Sequence, residues 1–187
     1  AAAKTEPTAT IAAHAGGASA NGASAPLQPA VSGPETKTCA STEAQREVFG
    51  AILIDPGVSR AYNLSFSLHL TGPLEQAPIE QALAALVARH ESLRSVFAPD
   101  GLSLVIRRDA TVSLQVEDLG ALDGKAQRER VAQLHERAVE APFDLLRGPV
   151  FRVTRIQKSK DACEILFVVH HAVCDGWSTG VLMRDFH

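Results

Sequence analysis

Ile165-Leu166-Phe167-Val168-Val169-His170-His171-Ala172-Val173-Cys174-Asp175-Gly176-Trp177-Ser178 is the stretch on which the reading of this chain turns. Its first five residues are the most apolar run in the sequence, all aliphatic or aromatic, and predict a buried strand. That strand delivers two histidines, a carboxylate and a glycine into a short loop. Adjacent side chains on extended backbone point to opposite faces, so only one of His170 and His171 faces a given cavity. The ordinary imidazole pKa, about 6.5, lies near neutrality and suits a histidine at a strand mouth to act as a base. Asp175 follows across a turn, where it can orient the imidazole or hold the loop through an arginine. Gly176 can let the backbone approach a substrate or adopt a positive φ.

On these residues alone, other accounts stand beside catalysis. The histidines can be a structural pair with satisfied hydrogen bonds. His170, His171 and Cys174 or Asp175 can bind a metal, although the spacing departs from common zinc patterns and no second ligand pair lies nearby. Cys174 can be a nucleophile served by His171, against the commoner role of a buried cysteine as an inert, small apolar residue. The sequence contains no serine elbow, P-loop or dinucleotide fingerprint.

Outward from the loop, the periodicity switches repeatedly between strand and helix. Thr42 and Gln45 have capping-box spacing ahead of a helix ended by Pro56-Gly57. Leu64, Phe66, Leu68 and Leu70 alternate as a strand closed by Thr71-Gly72-Pro73. Ile79, Leu83, Leu86 and Val87 mark a helix. Pro99-Asp100-Gly101 predicts a hairpin between residues 94–97 and the alternating Leu102, Leu104 and Ile106. Val112, Leu114 and Val116 read as a strand, Gln127 to Glu140 as an amphipathic helix, and Val150 to Ile156 as a strand. A last helix starts at Trp177 or Ser178. Mixed strands and helices with hairpins predict an α/β (α+β) two-layer sandwich rather than a doubly wound parallel sheet.

Composition sets the outer bounds. Hydrophobic residues make up 45% and charged residues 21% of the 187, ordinary for a soluble globular chain. A net charge of -3 provides no basic field for nucleic acid or an anionic membrane. No apolar run approaches the roughly 18 residues of a membrane span. The three cysteines are irregularly spaced, which fits a reducing cytoplasm better than a disulfide framework. Residues 1–40 are rich in Ala, Pro, Gly and Ser and read as a flexible interdomain linker, with order beginning near Ser41. The first residue, Ala1 rather than Met, suggests a piece of a longer protein.

His170 to Gly176 matches the pattern HHxxxDG, continued by Trp177-Ser178. Upstream, Thr42-Glu43-Ala44-Gln45-Arg46-Glu47-Val48-Phe49 fits S/T-x-A-Q-x-R followed by an aromatic, with the arginine directly after the glutamine. Arg89-His90-Glu91-Ser92-Leu93-Arg94-Ser95-Val96-Phe97 fits RHExLRxxF, and residues 143–152 fit the approach to the histidine strand. In these motifs and their order, residues 41–187 resemble the N-terminal half of the condensation domain of nonribosomal peptide synthetases. The resemblance implies a chloramphenicol-acetyltransferase-like N-terminal lobe with a mixed sheet and flanking helices, facing a C-terminal lobe that this chain does not contain. It implies amide formation between a carrier-bound thioester donor and the α-amine of a carrier-bound acceptor, in nonribosomal peptide or hybrid polyketide–peptide synthesis. Phosphopantetheine-tethered substrates arrive on donor and acceptor carrier proteins, no metal or cofactor binds directly, and an adenylation domain neighbours the lobe. His171 is the implied catalytic group. His170, Asp175 and Gly176 are implied structural members of the loop, with Arg94 a candidate partner for Asp175. Two other classes compete: an acyltransferase of the same fold using coenzyme A, and a non-catalytic condensation-like docking domain.

Overall fold

A computed structural model describes residues 8–14, 36–72 and 75–186. The strands are β1 (Thr8–His14), β2 (Thr36–Ala40), β3 (Asn63–Thr71), β4 (Ser95–Phe97), β5 (Ser103–Arg107), β6 (Leu114–Asp118), β7 (Phe151–Ser159) and β8 (Ala162–His170). The α-helices are α1 (Glu43–Ile54), α2 (Gln76–Arg89), α3 (Gly124–Glu140) and α4 (Gly176–Phe186). A 3-10 turn, Pro56–Tyr62, leads into β3, and a shorter one, Glu91–Arg94, leads into β4.

The apolar run is the central strand of a five-stranded sheet ordered β1-β3-β8-β7-β6. β8 is antiparallel to both neighbours and pairs His170 with Asn63 at one end and Ala162 with Thr71 at the other. β6 pairs with β7 in parallel, Leu114 opposite Val153. Parallel neighbours need a crossover, and α3 is the helix within it. Sequence periodicity located both strands and the helix but carried no signal for that pairing. A second sheet, β2-β5-β4, contains the expected hairpin at residues 95–107.

Alternation along β8 divides its side chains between two environments. Phe167 stacks against Phe66 at 5.0 Å and meets Phe186 of α4 edge-on at 5.2 Å, with Leu182 and Met183 also buried. Glu164 and His170 lie on the opposite face, which α3 covers. There His135 meets Glu164 at 2.5 Å, and Asn63 Nδ2 donates to the carbonyls of Val139 and Ala141 at 2.7 and 3.0 Å. Helices on both faces thus shield the strand that carries the histidines. The residues predicted to face inward on α2, Ile79, Leu83, Leu86 and Val87, are all buried.

Helix starts follow their caps. Thr42 and Gln45 form the full capping box at α1. α3 begins at Gly124, ahead of the expected Gln127, because the Asp123 carboxylate accepts from the N–H groups of Lys125 and Ala126. At the hairpin tip Gly101 has φ +68°, and an added Cβ would sit 2.6 Å from Phe49 Cδ1. Phe49 stacks on Phe97 at 4.5 Å, so the turn is packed directly against α1.

Two pieces of the stretch read as linker are strands. Thr8–His14 lies antiparallel along β3, and Thr36–Ala40 lies along β5. A sheet edge presents backbone donors and acceptors that pair with any extended segment, so side-chain composition does not reveal such strands. The remaining linker residues, 1–7 and 15–35, and Pro73 of the turn after β3, lie outside the described residues. Among the described residues, no helix is long and apolar enough to cross a membrane.

Candidate active site

The strand ends by separating its two histidines. His170, the last residue of β8, has 0% of its surface exposed. Its Nδ1 accepts the N–H of Ala172 at 3.2 Å, so the neutral ring carries its proton on Nε2, which faces Ser59 Oγ at 3.4 Å. Phe143 meets the ring edge-on at 6.1 Å and Tyr62 lies at 6.0 Å. Burial pushes the His170 pKa down to about 4, with the neighbouring His171 and Arg152 adding to the effect. His170 is thus fully buried, and its Nδ1 accepts a backbone N–H of the turn after it.

His171 faces outward and is exposed. Its backbone is held on both sides. Its own N–H donates to the Tyr62 carbonyl at 2.7 Å, and the Val173 N–H donates to the His170 carbonyl at 3.0 Å. From α1, Gln45 Nε2 donates to the Ala172 carbonyl at 2.9 Å. The loop is thus tied to the 3-10 turn, to β8 and to the first upstream motif.

Asp175 is the N-cap of α4. Its Oδ1 accepts from the N–H and the Oγ of Ser178 at 2.8 and 2.6 Å, and its carbonyl accepts the Thr179 N–H at 3.1 Å. The Ser178 hydroxyl and N–H hold the Asp175 carboxyl below the ordinary carboxylate range, and His171 contributes in the same direction. The carboxylate is thus tied into the first turn of α4.

Gly176 is the first residue of α4 and does not have positive φ, contrary to one of the two uses expected for it. A Cβ built on it meets no atom within 4 Å. Among the described residues, no contact requires glycine at 176.

Arg94 is not brought to Asp175. Its Nη1 donates to the Arg107 carbonyl at 3.0 Å, and its Nη2 lies 3.9 Å from Glu91. It lines a cavity of about 230 Å³ shared with Arg107, Arg147 and Val150. The reason is topological: the 3-10 turn bearing Arg94 feeds the small sheet, whereas Asp175 caps a helix beyond the large one. Its motif instead reaches α4 through Arg89 Nε and His90 Nε2, which lie 2.9 and 3.0 Å from Asp185.

Cys174 is buried, and burial with the adjacent Asp175 charge raises its thiol pKa to about 12, so at neutral pH it rests as the thiol. Among the described residues, no group of three or more His, Cys, Asp or Glu side chains is arranged to hold a metal ion.

Several supports carried no sequence signal. Ser59 and Tyr62 lie in an aperiodic 3-10 turn. Phe143 faces His170 from the segment before β7, and Arg152 lies 3.7 Å above the Phe143 ring. The Pro142-Phe143 break after α3 marks that segment's position, but nothing in it indicates a histidine partner. Farther along the same face, buried Glu164 gathers His135, Lys158 at 2.6 Å and His69 at 3.6 Å. Burial alone would raise its pKa, but His135 and Lys158 outweigh burial and hold the carboxyl well below its ordinary range.

The architecture and the loop both have counterparts among known proteins. The family profile described as condensation domain matches residues 36–187. Chondramide synthase cmdD of Chondromyces crocatus is 36% identical over 155 residues, covering 82% of this chain and 4% of that protein. Malpinin synthetase of Mortierella alpina is 39% identical over 132 residues, 69% of this chain and 2% of that protein. Phosphinothricin tripeptide synthetase PhsC of Streptomyces viridochromogenes is 35% identical over 144 residues, 76% of this chain and 13% of that protein. The chain therefore spans a small part of each relative's length. In structure it is similar to the starter condensation domain of rhizomide synthetase, with a TM-score of 0.72 at 24% identity over 80% of this chain and 38% of that one. The expected mixed α/β fold is thus that of the N-terminal lobe of condensation domain structures. With the family profile covering every described residue from β2 onward, the chain belongs to the condensation domain family.

Proposed function

We propose that this chain is the N-terminal lobe of a condensation domain that forms an amide bond, with His171 as the group acting on the nucleophilic amine. The observation that carries the reading is the division of the histidine pair: His170 buried and neutral, His171 exposed on a backbone tied from three elements. A free α-amine has a pKa of about 7.7–8.0 and is mostly protonated at neutral pH, hence not nucleophilic. An imidazole at the position of His171 accepts that proton or holds the neutral amine in line with the donor's carbonyl. The amine nitrogen bonds to the thioester carbon, the carbon–sulfur bond breaks, and the carrier thiol leaves. The ionised Asp175 favours the charged imidazolium formed on the way and keeps the start of α4 in place. The N–H of Gly176, in the first turn of α4, is a donor the helix leaves unused and suits a developing oxyanion.

Donor and acceptor carrier domains with phosphopantetheine arms, a second lobe over the open loop, and an adjoining adenylation domain complete the proposed setting. The far greater length of the relatives supports this, since the chain covers only 4% of chondramide synthase. The three cysteines are free, which fits a cytoplasmic location.

One finding favours a second reading, transfer from an acyl-CoA. A structure of the rhizomide synthetase starter condensation domain, 28% identical with a TM-score of 0.70, is described as a complex with C8-CoA and Leu-SNAC. The two readings separate in an assay of the complete domain that offers the same acyl group on a carrier protein and on coenzyme A. The first predicts amide product from the carrier-bound donor, and product from acyl-CoA alone would favour the second. Asp175→Ala, which removes the α4 cap, is expected to lower stability by about 1 kcal/mol along with activity. An inactive variant with unchanged melting temperature would mean that Asp175 acts directly in the chemistry.

A further inference from the structure

We infer that Gln45 is a positioning residue for the His171 loop, serving α1 through one atom of its side-chain amide and the loop through the other. The inference rests on the reading of His171 as the catalytic group. Gln45 Oε1 accepts the Thr42 N–H at 2.9 Å, and Nε2 donates to the Ala172 carbonyl at 2.9 Å, 127 positions away. Its two neighbours admit only one orientation of the amide. A flipped amide would set N–H against N–H and oxygen against carbonyl.

Gln45 is anchored at its base as well. Its own backbone N–H donates to Thr42 Oγ1 at 3.2 Å. The next residue, Arg46, donates to the Ser41 carbonyl at 2.5 Å. Ser41 in turn bonds the hairpin tip, Oγ to the Gly101 carbonyl at 2.8 Å and N–H to the Leu102 carbonyl at 3.0 Å. The loop is therefore referenced through Gln45 to α1 and the second sheet, whereas its other ties run to the 3-10 turn and β8. The N–H groups of residues 171–173 are all taken from that side, by Tyr62 and His170. Gln45 holds the acceptor of the same turn from the opposite side. Of the loop bonds described, it is the only one in which the chain's first motif touches its last.

A residue whose whole task were capping could be glutamate, which completes the same box and adds a negative charge where the helix dipole favours one. Glutamate cannot donate to the Ala172 carbonyl. Gln45→Glu therefore separates the two roles, and Thr42→Ala perturbs the cap while leaving the Nε2 donor in place.

Hydrogen exchange on this chain and turnover of the complete condensation domain test the inference together. Gln45→Glu is expected to lower the melting temperature by no more than a few degrees while amide exchange at His171, Ala172 and Val173 rises selectively about tenfold, the scale of one net hydrogen bond. With carrier-bound substrates its kcat is expected to fall about tenfold while KM changes by less than about twofold, as for loss of alignment rather than of binding. Thr42→Ala is expected to lower the melting temperature without raising exchange selectively at those three amides. Wild-type exchange and wild-type kcat in Gln45→Glu would overturn the inference. If exchange rises but neither Gln45→Glu nor His171→Ala alters turnover, the catalytic reading of the loop fails and the positioning of the loop stands.

Discussion

His170 is held neutral in a site that excludes water, and acidification makes that arrangement costly. Its pKa in the folded chain is about 4, against an ordinary 6.5. Between those values the unfolded chain binds a proton that the folded chain does not, so stability is fully present above the ordinary value and is lost as the pH falls through the window. At about 1.36 kcal/mol per pKa unit, the difference amounts to about 2 kcal/mol between about pH 7.5 and pH 5, and about 3 kcal/mol once the pH is below both values. The comparison requires a variant that removes only this histidine. His170→Asn provides it: an asparagine oxygen can accept the Ala172 N–H in place of Nδ1, and asparagine does not titrate. Urea unfolding followed by far-ultraviolet circular dichroism at the two pH values measures the difference. The wild-type chain is expected to lose about 2 kcal/mol more than His170→Asn, about 1 M in the urea midpoint. Equal losses in the two proteins would refute the assignment of His170 as a buried neutral imidazole.

Three further outcomes follow from the packing. Gly176→Ala is expected to leave the melting temperature equal or higher, since the added methyl meets nothing within 4 Å and alanine is favoured in a helix, while the complete domain loses activity; a drop in stability would mean that this chain itself needs the glycine. Gly101→Ala is expected to destabilise by about 2 kcal/mol or more in a urea titration, because φ +68° is strained for alanine and the Cβ drives into Phe49. Glu164→Gln leaves Lys158 without its buried counter-charge and is expected to cost about 3 kcal/mol at neutral pH, with the deficit shrinking as the pH falls from the ordinary carboxylate range toward the depressed range of the folded carboxyl.

Much of the site was legible from residue order alone. Alternation at a strand end already required His170 and His171 to differ in environment, and the structure places one in the core and the other at the surface. The capping box at Thr42 and the α2 stripe were readable because each is a local pattern with a local cause. Long-range partners were not readable. Gln45 looked complete as a capping residue, and its second bond, to Ala172, is set by how α1 lies beside the turn that follows β8. Arg94 had the right charge for Asp175 and the wrong place, because the chain turns from α2 into the second sheet before it. The edge strands β1 and β2 were hidden for another reason: backbone pairing asks little of side chains, so an Ala/Thr segment serves as well as an apolar one.

The most direct test of His171 as the catalytic group is the rate of amide formation by His171→Ala in the complete condensation domain, measured in a single turnover with loaded donor and acceptor carrier proteins. Because His171 is exposed and its backbone bond to Tyr62 is retained in the variant, folding should be unaffected. General-base assistance contributes about 10²–10⁴-fold, so the rate is expected to fall by at least about 10²-fold with the melting temperature unchanged. An unchanged rate would remove His171 from the chemistry and leave its loop a structural feature of the lobe.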